Sequence, residues 1–168
     1  MKNTAIIVYN NNGGKESLTL DEITNKIPDS INGESGFHVY HVRILTELML
    51  KQLKKMSSYS FSDDEIEAIS IASSLHDIGK LKIPESIIDN SDRLSPMEYD
   101  IVKKHTVLGE EIIANIKSEI DPKIIKYAKE IARYHHERYD GTGYPDGLKG
   151  DNIPISAQIV SITDVLMH

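Results

Sequence analysis

Residues 62–80 read SDDEIEAISIASSLHDIGK, and they carry both ends of a helix. Ser62 followed three residues later by Glu65 is a capping box, in which each side chain satisfies a backbone N–H that the first helical turn leaves unpaired. Ile66, Ile69, Ala72 and Leu75 then recur at helical spacing until Gly79 ends the pattern. His76 and Asp77 fall on the predicted last turn, beside that apolar stripe.

Upstream, residues 37–53 are dense in apolar side chains (Phe37, Val39, Val42, Ile44, Leu45, Leu48, Met49, Leu53) with no internal Gly or Pro, which predicts a largely buried helix. Downstream, Ser95, Pro96 and Glu98 make a second capping box with proline at the first helical position, heading a helix that carries Ile101, His105, Leu108, Ile112 and Ile116. Asp121 and Pro122 repeat the start signal, and Ile124, Ile125, Ala128, Ile131 and Ala132 lead along one face toward His135, with an end near His136. A polar, glycine-rich loop fills residues 140–151. After Pro154, the spacing of Ile155, Ile159 and Ile162 predicts a last helix ending at Asp164 and beyond. The expected fold is all-α, a helical bundle with the glycine-rich loop between its last two helices. Strands are confined to the first residues, where Ala5–Tyr9 is β-prone and the asparagines and glycines at 10–14 break the run. Residues 1–31 read as a linker or the remnant of an upstream module, and 32–168 as the domain.

A length of 168 residues with 39% hydrophobic and 27% charged side chains suits one globular domain with a sizeable core. The net charge of -7 opposes capture of long nucleic acid, which needs many Lys and Arg to neutralise phosphates. A small anionic substrate fits the same composition where metal ions supply local positive charge. Cysteine is absent, so a metal must take nitrogen and oxygen donors. No apolar run of about 18 residues is present to span a bilayer, and no signal-peptide pattern opens the chain. A cytoplasmic, non-membrane protein is therefore expected.

Of the seven histidines, His38, His76, His105, His135 and His136 fall on or at the end of predicted helices beside apolar faces. One such imidazole is ordinarily a core residue bonded to a carbonyl. Several converging on one space are most simply satisfied by a metal ion. Asp77 has two oxygens and is the natural bridge between two ions. Paired ions about 3.5–4 Å apart activate water and offset the charge that develops on phosphoryl oxygens, as phosphoester hydrolysis requires. Lys80, three residues after Asp77, could hold a phosphate oxygen or the leaving group; a solvated lysine past a helix end has the same spacing.

The string HDIGK at 76–80 resembles the HD phosphohydrolase superfamily, and the resemblance extends through His105 and Gly109. The string HHERYDGTGYP at 135–145 is similar to the signature of the HD-GYP subfamily, whose members hydrolyse cyclic di-GMP. The resemblance implies that His76, Asp77, His105, His135, His136 and Asp164 ligate two metals with Asp77 shared, and that Lys80 assists at the phosphate. Glu34 and His38, in a segment similar to relatives holding a third ion, are added ligands in that reading. Two or three divalent ions, iron or manganese, are the implied cofactors. Cyclic di-GMP is the implied substrate, cleaved to the linear dinucleotide and GMP. Diguanylate cyclase domains at the 140–145 loop are implied partners, and a homodimer is a further expectation.

In that loop Gly141 and Gly143 allow positive φ or close backbone approach. With Tyr144 and Pro145 they are candidate substrate contacts, Tyr144 offering an aromatic face to a base. A structural turn with Tyr144 plugging the core is the alternative. His41 is read as structural. Family members continue past the aspartate matching Asp164 into a basic segment that contacts phosphate, so the domain is expected to be incomplete at its C-terminus. Two competing readings follow: an HD hydrolase acting on another nucleotide, and an inactive module that binds cyclic di-GMP or a protein.

Overall fold

The capping box at Ser62 forms as expected: Glu65 N–H donates to Ser62 Oγ at 3.1 Å, and Ser62 N–H donates to a Glu65 carboxylate oxygen at 2.9 Å. The other Glu65 oxygen accepts from Tyr127 Oη at 3.2 Å, which ties the start of this helix to a helix sixty residues on. Ser62→Ala should therefore lower stability by about 1 kcal/mol, read as a lower thermal midpoint; an unchanged midpoint would contradict the capping role.

This is seen in a computed structural model that describes residues 5–9, 15–19, 36–56, 59–88, 93–116 and 120–167. Strands β1 (Ala5–Tyr9) and β2 (Lys15–Thr19) pair antiparallel, with Ile7 opposite Ser17. Helices follow: α1 (Gly36–Lys55), α2 (Asp63–Ser73), a 3-10 helix (Ile78–Lys82), α3 (Glu85–Ile88), α4 (Pro96–Lys103), α5 (His105–Ala114), α6 (Pro122–Tyr134) and α7 (Ile155–Met167). The all-α expectation for the domain holds: among the described residues, strands occur only at Ala5–Tyr9 and Lys15–Thr19. Most of residues 1–31 lie outside the described residues.

Helix α6 packs against α2, α5 and α7, while α1 packs against α2 and α7. Val42 and Leu50 from α1, Ile69 from α2, Ile113 from α5, Ile131 from α6 and Val160 from α7 meet in one core. Each is nearly or fully buried, and a side chain of this size contributes roughly 1.5–3 kcal/mol when taken from water. Among the described residues, no helix is long and apolar enough to cross a membrane.

Three predicted helices differ from those observed. Helix α1 is not largely buried: it turns Val42, Thr46 and Leu50 inward, whereas Phe37, Tyr40 and Leu48 are more than half exposed. Helix α2 stops at Ser73 instead of continuing to Gly79, and His76 and Asp77 lie in the turn before the 3-10 helix. The cause is local, since His76 Nδ1 takes the Ser73 carbonyl that an α-helix would offer further along. The helix predicted after Ser95 is likewise interrupted at Lys104, where His105 Nδ1 takes the Val102 carbonyl and Thr106 Oγ1 takes that of Lys103. Both interruptions fall beside a histidine that the sequence marks for chemistry.

Candidate metal centre

Five separate segments bring the candidate residues to one interior space. His38 comes from α1, His76 and Asp77 from the turn after α2, His105 from the first turn of α5, His135 from the end of α6, and Asp164 from α7. All six are buried, and His136 is half-buried beside them.

The orientation of three imidazoles is set by the backbone. Nδ1 donates to a carbonyl in each case: His76 to Ser73 at 2.9 Å, His105 to Val102 at 2.7 Å and His135 to Ile131 at 2.9 Å. A neutral imidazole that donates at Nδ1 carries its lone pair on Nε2. Those lone pairs converge: His105 Nε2 and His135 Nε2 lie 3.5 Å apart, and Asp77 Oδ1 lies 3.3 and 3.7 Å from them. Three acceptors in a buried space repel one another unless a cation sits among them. Asp77 Oδ1 and His76 Nε2 are in addition buried without a hydrogen-bond partner, which is how atoms awaiting a metal look.

Ligand atoms fall into two sets, each within 4.8 Å: Asp77, His105, His135 and His136 in one, and His38, His76 and Asp164 in the other. Asp77 joins them. Its Oδ1 faces the first set, while its Oδ2 lies 3.4 Å from His76 Nε2 and 2.8 Å from Lys80 Nζ. In the second set His38 Nε2 is 3.1 Å and His76 Nε2 3.6 Å from Asp164 Oδ1. Lys80 is buried beside Asp77, so the solvated alternative does not describe it.

The electrostatics fit divalent cations. Burial works against the His76 imidazolium, but Asp77 and Asp164 outweigh it and raise its pKa to about 9. Burial also opposes ionisation of Asp77, and the positive charges of His76 and Lys80 overcome it, holding the carboxyl well below its usual range. Asp164 behaves alike: its burial penalty is outweighed by the hydrogen bond from His38 and the nearby His76 charge. Burial lowers His105 to about 4 and His136 to about 2, so both offer neutral lone pairs at neutral pH. The ionised acids and the neutral His105 and His136 are in the forms a metal requires, whereas the His76 imidazolium would give up its proton to an incoming ion.

Close backbone contacts hold this arrangement. A Cβ at Gly79 would collide with the His105 carbonyl oxygen and lie 2.5 Å from Gly109 N, so the 3-10 helix can meet α5 only through glycine. Gly143 is pressed in the same way against the backbone of residues 136–138, with Glu137 Cα and the His136 carbonyl oxygen 2.5 Å from such a Cβ. On that side Gly143 packs against its own chain. Tyr144 N–H donates to the His136 carbonyl at 3.2 Å, its ring stacks on His136 with centroids 4.9 Å apart, and the peptide to Pro145 is cis. Tyr144 is half-buried, so it both covers a candidate ligand and keeps an open edge.

Sequence reasoning missed Glu137 as a functional residue. It is buried, and its two carboxylate oxygens accept from Asp146 N–H at 2.8 Å and Leu148 N–H at 3.0 Å. Arg133 grips the Asp146 carboxylate at 2.8 and 3.0 Å while also reaching Glu110 at 2.8 Å. Together they strap the loop beside His136. Its adjacency to the histidine pair was the available signal, but the bonding partners lie nine and eleven residues away. Glu137→Gln keeps one acceptor and should cost about 2 kcal/mol. Amide exchange at Asp146 and Leu148 should accelerate; exchange as slow as in the parent protein would contradict the strap. Glu34 lies outside the described residues, and His41 is exposed.

A family model for the HD domain matches residues 35–167, and the chain belongs to that family. The HD-GYP resemblance carried by residues 76–80 and 135–145 is borne out by its relatives. The chain is 40% identical, over 79% of its length, to a protein of Vibrio cholerae named 3'3'-cGAMP-specific phosphodiesterase 2, of which this covers 23%. It is 34% identical over 90% of its length to the cyclic di-GMP phosphodiesterase response regulator RpfG of Xanthomonas campestris pv. campestris, covering 37% of that protein. A cyclic di-GMP phosphodiesterase of Thermotoga maritima is 36% identical over 85% of the chain and 36% of its own length. The chain thus spans between 23% and 37% of the length of these relatives.

Proposed function

We propose that this chain is the hydrolytic domain of a metal-dependent phosphodiesterase acting on cyclic dinucleotides, with residues 32–168 as the HD-GYP unit and cyclic di-GMP as the preferred substrate. The observation that carries this is Asp77: its two oxygens face two separate sets of imidazole donors, the arrangement a bridging carboxylate needs. In this reading His105, His135 and His136 would hold one ion together with Asp77, and His38, His76 and Asp164 would hold the other, also with Asp77. Glu34 is the donor that a third ion would add. Nitrogen and oxygen donors without thiolate favour iron or manganese.

When bound, the paired ions supply positive charge to the phosphoryl oxygens and acidify water at neutral pH. The protein's own part is to aim the donors through the Nδ1 bonds, to hold Asp77 ionised against its burial, and to shield the site from bulk water. Lys80 steadies Asp77 and holds a phosphate oxygen. Tyr144 and Pro145 border the substrate, with Gly143 fixing their turn. Products are the linear dinucleotide and then GMP. The family resemblance adds a bacterial cytoplasm as the setting, diguanylate cyclase domains as partners at the 140–145 loop, and a homodimer as the assembly.

The test is anaerobic loading of the metal-free protein with Fe(II) or Mn(II), followed by cyclic di-GMP and chromatography of the products. Appearance of the linear dinucleotide supports the reading. A protein that has taken up metal yet releases no product from cyclic di-GMP or 3'3'-cGAMP contradicts it.

A further inference from the structure

Beyond the metal centre, a short chain of groups leads outward from His136. Tyr144 stacks on that imidazole; Lys103 Nζ lies 5.9 Å from the Tyr144 ring centre and 5.2 Å from that of Tyr99; and Asp100 Oδ1 accepts from the same ammonium at 2.6 Å. Tyr99, Asp100 and Lys103 all belong to α4. Tyr99 is 49% exposed and the Asp100 side chain 68%, so both face solvent at the rim of the site. An ion pair this exposed adds little to folding. An ammonium held between two aromatic rings, beside a carboxylate and within two rings of a phosphodiester-cleaving centre, has the composition of a nucleobase-binding edge.

We propose that Asp100 and Lys103 read the purine base of the substrate and select guanine over adenine, with Tyr99 as the surface on which that base stacks. This rests on the cyclic-dinucleotide reading above. Tyr99 supplies affinity without choice, because every base has a π face. The choice comes from the ion pair. Lysine offers only donors and an ionised aspartate only acceptors. On guanine the acceptors N7 and O6 adjoin the donors N1–H and N2–H₂, so the ammonium meets one pair while the carboxylate meets the other. Adenine in the same pose turns its N6 amino group toward the ammonium and its N1 lone pair toward the carboxylate. The ammonium then keeps only N7 while these two contacts are repulsive, and this rejects the wrong base by placing like against like.

The experiment measures calorimetric binding of cyclic di-GMP and cyclic di-AMP to the metal-free full chain, where no turnover occurs. Wild type should prefer cyclic di-GMP by about tenfold or more, the discrimination expected of a well-formed contact to a base edge. Lys103→Met and Asp100→Asn should each bring the ratio to within about twofold, while Tyr99→Ala should weaken both ligands together. Far-UV circular dichroism checks that each variant is folded. A wild type that binds the two equally or binds neither, or folded Lys103 and Asp100 variants that keep the full preference, would overturn the proposal. The hydrolase reading is judged separately, on product formation by the metal-loaded wild type: loss of turnover with the base preference intact strikes that reading and leaves this one standing.

Discussion

Asp77→Asn is expected to lower phosphodiester turnover by about 10³-fold, or roughly 4 kcal/mol in the activation barrier. The reason is geometric and electrostatic together. Asp77 turns an oxygen toward each donor set, Oδ1 at 3.3 Å from His105 Nε2 and Oδ2 at 3.4 Å from His76 Nε2. An amide keeps the shape but removes the charge and turns one of the two atoms into a donor. The metal-free protein should suffer as well, because the buried Lys80 ammonium loses the Asp77 carboxylate 2.8 Å away. Removing one partner of a buried ion pair costs about 3 kcal/mol. Steady-state kinetics and a thermal melt in chelator read the two effects. Turnover within tenfold of wild type would contradict the bridging role.

Gly79→Ala should destabilise the fold by about 3 kcal/mol or more, although alanine is the better helix former by about 1 kcal/mol. The methyl group has no room. It would overlap the His105 carbonyl oxygen and approach Gly109 N to 2.5 Å, and all of these are backbone atoms that cannot rotate aside. Relief requires the 3-10 helix and α5 to separate, which carries His105 away from Asp77 and His135. Urea unfolding should show the lost stability, and metal titration of the surviving folded fraction should show weaker uptake. A variant as stable as wild type would mean that the two segments are less tightly joined than the structure places them.

Much of this was legible in the sequence because it is local. The capping boxes at Ser62 and Ser95 and the proline at 122 mark helix starts from a few adjacent residues, and all three helices begin there. The helix ends at Ser73 and Lys103 were not legible, since a histidine that bonds the carbonyl three residues back leaves no trace in apolar periodicity. For α1, apolar density gave no sign of which side faces the core, because Phe37, Tyr40 and Leu48 lie outside while Val42, Thr46 and Leu50 lie inside. The second strand, KESLT, has too little apolar character to stand out before it pairs with β1.

The candidate site divides in the same way. Its residue types could be read off the strings at 76–80 and 135–145, and these bring their histidines to one space. Their grouping could not. His38 stands with His76 and Asp164 because α1 packs against α7, a contact between residues 126 positions apart. Glu137 escaped notice for a related reason, as its carboxylate acts on the backbone of a loop whose path no short motif describes.

Anomalous diffraction from crystals of the metal-loaded protein, recorded at the absorption edge of iron or manganese, tests the central claim most directly. Two peaks are expected, one among Asp77, His105, His135 and His136 and the other among His38, His76 and Asp164, with the Asp77 carboxylate between them. Peaks absent from both sets of donors, in crystals whose protein carries metal, would contradict the account.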